Sequence, residues 1–256
     1  MDWITKSLEF YIINQKLKPM KHLIITLIAT LTMTSCSIDM MNRVDGNRNV
    51  TTQNRTTGDD FTSIKVSTGL DLHLSQGAKN SIVVEADENL QDIIITEVRD
   101  GVLRIYSEKN IWRAASRKVI VTCTNIEALT ATSGSDVFGK TVITSNKLKI
   151  SSSSGADIRI EVDADDVETS TSSGSSIRIK GTSTTHSSKA TSGSSIDAYG
   201  LKSKDVSVNV SSGADINIYA SESLTAKASS GGDIDVKGNP KTVSKKSSSG
   251  GRVSTK

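Results

Sequence analysis

SSGADIRI at residues 153–160 returns as SSGSSIRI at 172–179, SSGADINI at 211–218 and SSGGDIDV at 229–236. Looser copies bring the phased glycines to seven: Gly134, Gly155, Gly174, Gly193, Gly213, Gly231 and Gly250. Their spacings are 21, 19, 19, 20, 18 and 19 residues. A nearly fixed period over seven occurrences is the signature of a stacked repeat. The third residue after each glycine is Val137, Ile158, Ile177, Ile196, Ile216, Ile234 and Val253, always β-branched. The fifth is Gly139, Ile160, Ile179, Ala198, Ile218, Val236 and Thr255, mostly small or aliphatic. The second and fourth residues are polar almost throughout. Period-two alternation of this kind predicts a strand with one buried face. Before each glycine lies a weaker strand, with Leu148, Val167, His186, Val206 and Leu224 seven residues upstream. The Ser-Gly pair then marks a corner, where glycine tolerates positive φ and serine can bond nearby backbone.

One rung of about twenty residues buries too little to offset its backbone entropy. Stacked rungs pair their backbones and build one aliphatic column. Seven rungs about 4.8 Å apart predict a rod roughly 30 Å long. The expected fold class is all-β, a parallel β-solenoid with rungs of about 19–20 residues. Composition agrees, because 35% hydrophobic and 4% aromatic residues are lean for a compact core of a 256-residue chain. Residues 59–126 carry less regular strands (FTSIKV, LDLHLS, SIVVEA, DIIITEV, VLRIYS, KVIVTC) and read as irregular first coils or a cap. Residues 127–256 read as the regular repeats, with the basic end Lys237–Lys256 as a solvated cap.

The N-terminal region reads as an export signal. In KHLIITLIATLTMTSC (21–36), Lys21 is the basic region, Leu23 to Leu31 the apolar region, and Thr34-Ser35 small residues before Cys36. This resembles a bacterial lipoprotein signal, which implies that Cys36 is diacylated (palmitate) and becomes the new N-terminus; Ser37, not an Asp, follows it, which favours the outer membrane. It departs from the strict motif at Met33 and Ser35. Residues 1–19 fit no signal template, so Met20 is the expected initiator. Residues 37–58 are polar and aperiodic and read as a tether. Without residues 1–35 the chain has 27 basic and 26 acidic residues, a net +1 that argues against nucleic-acid binding. Cys123 lies in an apolar strand and reads as an inert core thiol.

FTSIKVSTGLDLHLSQG at 61–77, VVEADENLQDIIITEVRDGVLRIYS at 83–107 and the repeats together resemble the family described as putative auto-transporter adhesin, head GIN domain. The resemblance covers about residues 58–256. It implies a right-handed parallel β-helix on an exported envelope protein of a Gram-negative bacterium, and it carries over no catalytic residues.

Candidate sites follow from the outward positions. Asp157, Arg159, Arg178, Asp197, Asp215 and Asp233 form a polar ridge. Stacked carboxylates repel unless bridged, but a period of nineteen cannot form the nonapeptide calcium loops, so no metal or other cofactor is assigned. Tyr199 and Tyr219 share one repeat position and predict an aromatic ladder, with Trp112 as a companion in the looser half. His73 and His186 read as inward. The expected function is a lipid-anchored envelope protein, non-enzymatic and adhesin-like, with a glycan or envelope protein as partner and self-association left open. The competing reading is a polysaccharide lyase or hydrolase on the same scaffold.

Overall fold

The computed structural model describes residues 43–56 and 60–255. The export signal, Cys36 and the initiator assignment lie outside them. Each repeat corner is two left-handed residues in a row, the serine at φ 49–57° and the glycine at φ 64–77°. An N–H to C=O bond closes the turn three residues back, as from Ala156 to Ser153 at 3.3 Å and Gly232 to Ser229 at 3.0 Å. This is the pattern of a type I′ turn. The corners also bond to one another: Gly134, Gly155, Gly174, Gly193 and Gly213 each donate N–H to the serine carbonyl of the next corner at 3.0–3.2 Å. Thr68-Gly69 has the same conformation, and Gly69 donates to Ser133. It is an eighth corner, which the sequence reading passed over.

The irregular end comprises β1 (Arg43–Asp45), β2 (Val50–Arg55), β3 (Ser63–Val66), β4 (Asp71–Gln76), β5 (Ser81–Asp87), a 3-10 turn (Glu88–Ile93), β6 (Ile94–Arg99), β7 (Val102–Ser107), β8 (Asn110–Arg113) and β9 (Arg117–Cys123). β3 and β4 flank the Thr68-Gly69 corner as one rung. β7 and β9 lie parallel beneath it, β7 on β3 and β9 on β4. Antiparallel strands close this end, with β6 on β7 through the two-residue turn Asp100-Gly101, β5 on β9, and β2 on β5. β2 corrects the sequence reading, which placed residues 50–55 in a tether. Apart from Val50 its side chains are polar, and most are exposed, so no apolar period betrays it. The backbone ladder to β5 holds it, helped by Gln91, whose Nε2 donates to the Thr51 carbonyl at 2.9 Å.

The regular part is β10 (Ala128–Ala131), β11 (Asp136–Ser152), β12 (Asp157–Thr171), β13 (Ser176–Ala190), β14 (Ser195–Val210), β15 (Asp215–Ala228), β16 (Asp233–Lys237), β17 (Thr242–Ser247) and β18 (Arg252–Thr255). β11 to β15 stack in parallel, with Val137, Ile158, Ile177, Ile196, Ile216 and Ile234 in one register column, each buried. Alternation breaks a second time in each rung, where two outward residues follow each other, as at Asp165-Asp166. At the end of the stack Val243 is exposed because no rung covers it.

His186 is inward as expected. His73 is not: with Gly69 as the corner, Leu72 and Leu74 take the inward places and His73 faces out, edge-on to Phe138 at 5.4 Å. Cys123 is buried against the Ser75 carbonyl, and burial pushes its thiol up to about 11. After five of the repeat corners the residue following the glycine is small and inward: Ser135, Ala156, Ser175, Ser194 and Ala214. Ser175 and Ser194 bond backbone carbonyls through their hydroxyls, but the buried Ser135 Oγ has no partner. Ser135→Ala should therefore raise stability by about 1 kcal/mol in chemical denaturation. A loss of stability would show that the hydroxyl is satisfied.

Candidate functional site

The unequal repeat lengths are absorbed by register slips. Those between β11 and β12 and between β13 and β14 fall at or just past the residue five places after the glycine; β14 and β15 slip there too, and again between Ser203 and Asp205. In the 21-residue rung, Gly139, Lys140 and Thr141 oppose Ile160 alone, because Phe138 pairs with Arg159 and Val142 with Glu161. In the 20-residue rung, Ala198 and Tyr199 oppose Ile179 alone, because Arg178 pairs with Asp197 and Lys180 with Gly200. Such bulges bend a strand and re-aim its side chains. Between these two expanded rungs run two of nineteen residues, and their paired strands β12 and β13 keep register through this corner.

A groove of about 720 Å³ results. Gly139–Val142 line one end, and Asp197, Tyr199 and Gly200 the other. Arg159–Glu161 and Arg178–Lys180 lie between. Its glycines are closely packed: a Cβ on Gly200 would clash with the Lys180 Cβ at 2.7 Å, and one on Gly139 would fit tightly at 3.1 Å from Ile160.

The groove's charges are partly paired. Lys180 meets Glu161 at 2.9 Å, Arg178 meets Asp197 at 3.4 Å, and Arg159 meets Asp157 at 3.6 Å. These pairs are largely exposed, and each contributes about 1 kcal/mol or less. A ligand oxygen can replace a carboxylate there at little cost. Lys140 Nζ and Arg159 Cζ both lie 5.5 Å from the Phe138 ring centre.

Of the polar ridge, the structure gathers Arg159, Arg178 and Asp197 in this groove. Asp157 touches Arg159 from just outside and accepts a bond from Ser176 Oγ at 2.5 Å. Asp215 and Asp233 stand in the neighbouring register column, on later rungs. In that column Asp71, Asp136 and Asp157 follow Lys118 on successive strands. Burial, then Asp157 and Asp71, hold the Asp136 carboxyl above its ordinary range. Among the described residues no group of three or more His, Cys, Asp or Glu is placed to hold a metal.

The tyrosine ladder does not form. The bulge at Tyr199 breaks its register with Tyr219, and each ring meets a lysine instead. Lys237 Nζ lies 4.0 Å from the Tyr199 ring centre and Lys202 Nζ 3.8 Å from that of Tyr219. Tyr219 lines a second groove of about 540 Å³ with Asp163, Thr182, Ser183 and Lys202. Trp112 is exposed on β8 and lines a third cleft, with Arg48, Glu85 and Arg117. The sequence reading missed Lys140, Glu161 and Lys180. Their signal was the two long spacings, 21 and 20.

The sequence model of the family described as "Putative auto-transporter adhesin, head GIN domain" matches residues 60–240. No curated protein matches the chain. Similar solved structures share the fold at low identity. A "putative adhesin" from Bacteroides fragilis is 18% identical with a TM-score of 0.77, covering 83% of this chain and 100% of its own. A "Putative lipid binding protein" from Parabacteroides distasonis is 21% identical with a TM-score of 0.68, covering 84% and 99%. A "putative adhesin" from Parabacteroides merdae is 21% identical with a TM-score of 0.65, with the same coverage.

Proposed function

The chain belongs to the head GIN domain family of adhesin-like proteins, and from that footing we propose that it is a non-enzymatic binding protein of the cell envelope. The observation that carries this reading is the recess between the two expanded rungs. It is open, lined by exchangeable ion pairs, and bounded by two register slips in a parallel stack. A rigid solenoid with one shaped flank suits the presentation of side chains to a partner.

We extend the proposal to its delivery. The basic and apolar regions at 21–31 and the small residues before Cys36 support export, lipidation of Cys36 and an outer-membrane anchor. Labelling cells with a radioactive palmitate precursor tests this: wild type should carry label and Cys36→Ser should not. Label on the variant would remove the anchor from the proposal. Protease shaving of intact cells separates a surface from a periplasmic position.

Binding of purified protein to bacterial or host cells and to a glycan array, run beside a reducing-sugar release assay, tests the function. Binding without release is expected. Release of sugar ends would replace this reading with the lyase or hydrolase alternative.

A further inference from the structure

The geometry points to the ligand class of this groove: a short anionic stretch of glycan, bearing carboxylate or sulfate groups, lies across the four rungs against Lys140, Arg159 and Arg178. This rests on the binding reading above. Arg159 and Arg178 are register partners on adjacent parallel strands, so their backbones are about 4.8 Å apart. Like charges opposite one another across strands are destabilising. Nothing on the strands comes between these two. Each is steered outward to its own carboxylate, Arg159 back to Asp157 and Arg178 forward to Asp197. Lys140 extends the line: it shares the Phe138 ring with Arg159, and among the described residues it has no carboxylate within ion-pair distance. Three cations thus run across successive rungs, with Asp157 beside Arg159 on its own strand and Asp197 following Arg178 on the next rung. An anionic group seated between them relieves the repulsion and gains charge-assisted hydrogen bonds from two guanidinium forks.

The dimensions select a chain over a lone ion. Three strand spacings give about 14 Å from one bulge to the other. At the far end Tyr199 adds an aromatic surface of the kind that packs on sugar rings. A lipid surface fits less well. A membrane is broad and flat, and these cations line a groove bounded by the two bulges.

The test uses the intact chain and two forms of one polymer: oligogalacturonate, and its fully methyl-esterified, uncharged counterpart. Calorimetry should show the acid form binding at least about tenfold more tightly, with affinity falling as salt rises. The double variant Arg159→Gln, Arg178→Gln should lose at least about tenfold in that affinity at an unchanged melting temperature. Lys227→Gln, Lys246→Gln, on another outward flank, should bind as wild type does. If the double variant does not fold, the salt dependence and the comparison of acid with ester in wild type decide. Equal affinity for the two forms overturns the inference. So does an unaffected double variant, or tighter binding to phosphatidylglycerol vesicles than to the acid glycan. In those cases cell binding by the double variant leaves the adhesin-like reading standing. An intact chain that binds neither cells nor any glycan ends both.

Discussion

His186→Val should make the protein markedly more resistant to acid. His186 is buried in the third long strand, in register between Val167 and Val206. Its Nε2 shares a 2.9 Å hydrogen bond with Thr169 Oγ1, and its Nδ1 has no partner. Burial lowers its pKa from 6.5 to about 4. The unfolded imidazole therefore takes up its proton near pH 6.5, and the folded one not until about pH 4. Between these values the unfolded chain binds more protons, so acid favours unfolding. The contribution is intact above pH 6.5 and falls by about 3 kcal/mol on the way to pH 4. Valine removes this loss, matches the neighbouring rungs, and leaves Thr169 its 3.0 Å bond to Ser188. The difference in Tm between variant and wild type should widen by about 10 °C from pH 7 to pH 4. A constant difference across that range would mean that folded His186 takes up its proton as readily as in the unfolded chain.

The second large effect is at Gly181. Gly181→Ala should cost about 3 kcal/mol or more, while Gly174→Ala should cost about 1 kcal/mol. Both glycines have positive φ, +121° at Gly181 and +68° at Gly174. A Cβ on Gly174 meets nothing within 4 Å, so only the left-handed conformation is penalised. A Cβ on Gly181 would sit 1.8 Å from the Val162 carbonyl oxygen and 2.8 Å from its carbon. The methyl group has to push two rungs apart. Urea denaturation of the two variants side by side measures the contrast. Equal losses would show that the rungs give way easily at this corner.

These two positions also mark how far the sequence could be read. Ile158, Ile177 and Ile196 announced the inward column because each repeat restates the same choice. The corners were equally plain, because two left-handed residues in a row favour glycine at the second. Thr68-Gly69 obeys the same rule, yet the detour through residues 77–126 hides it from a search for a fixed period. β2 was invisible for another reason: an exposed edge strand is held by its backbone and needs no apolar side chains. His186 was legible as inward but not as a burdened residue, since only packing shows that its Nδ1 finds nothing.

The candidate site was legible in part. Arg159, Arg178, Asp197 and Tyr199 were singled out as outward residues. What could not be seen was how the rungs shift against each other. Tyr199 and Tyr219 share a repeat position in the sequence, and one extra residue sends them to different grooves. The spacings of 21 and 20 looked like tolerance in a loose repeat. They are the two bulges that bound the groove.

Hydrogen exchange on the intact chain, with and without oligogalacturonate, tests most directly whether this groove is the binding site. Slowed exchange is predicted in four short segments that are distant in sequence: 138–142, 159–161, 178–180 and 197–200. Protection confined to the Trp112 cleft or to the C-terminal strands, or no protection at any concentration, would contradict it.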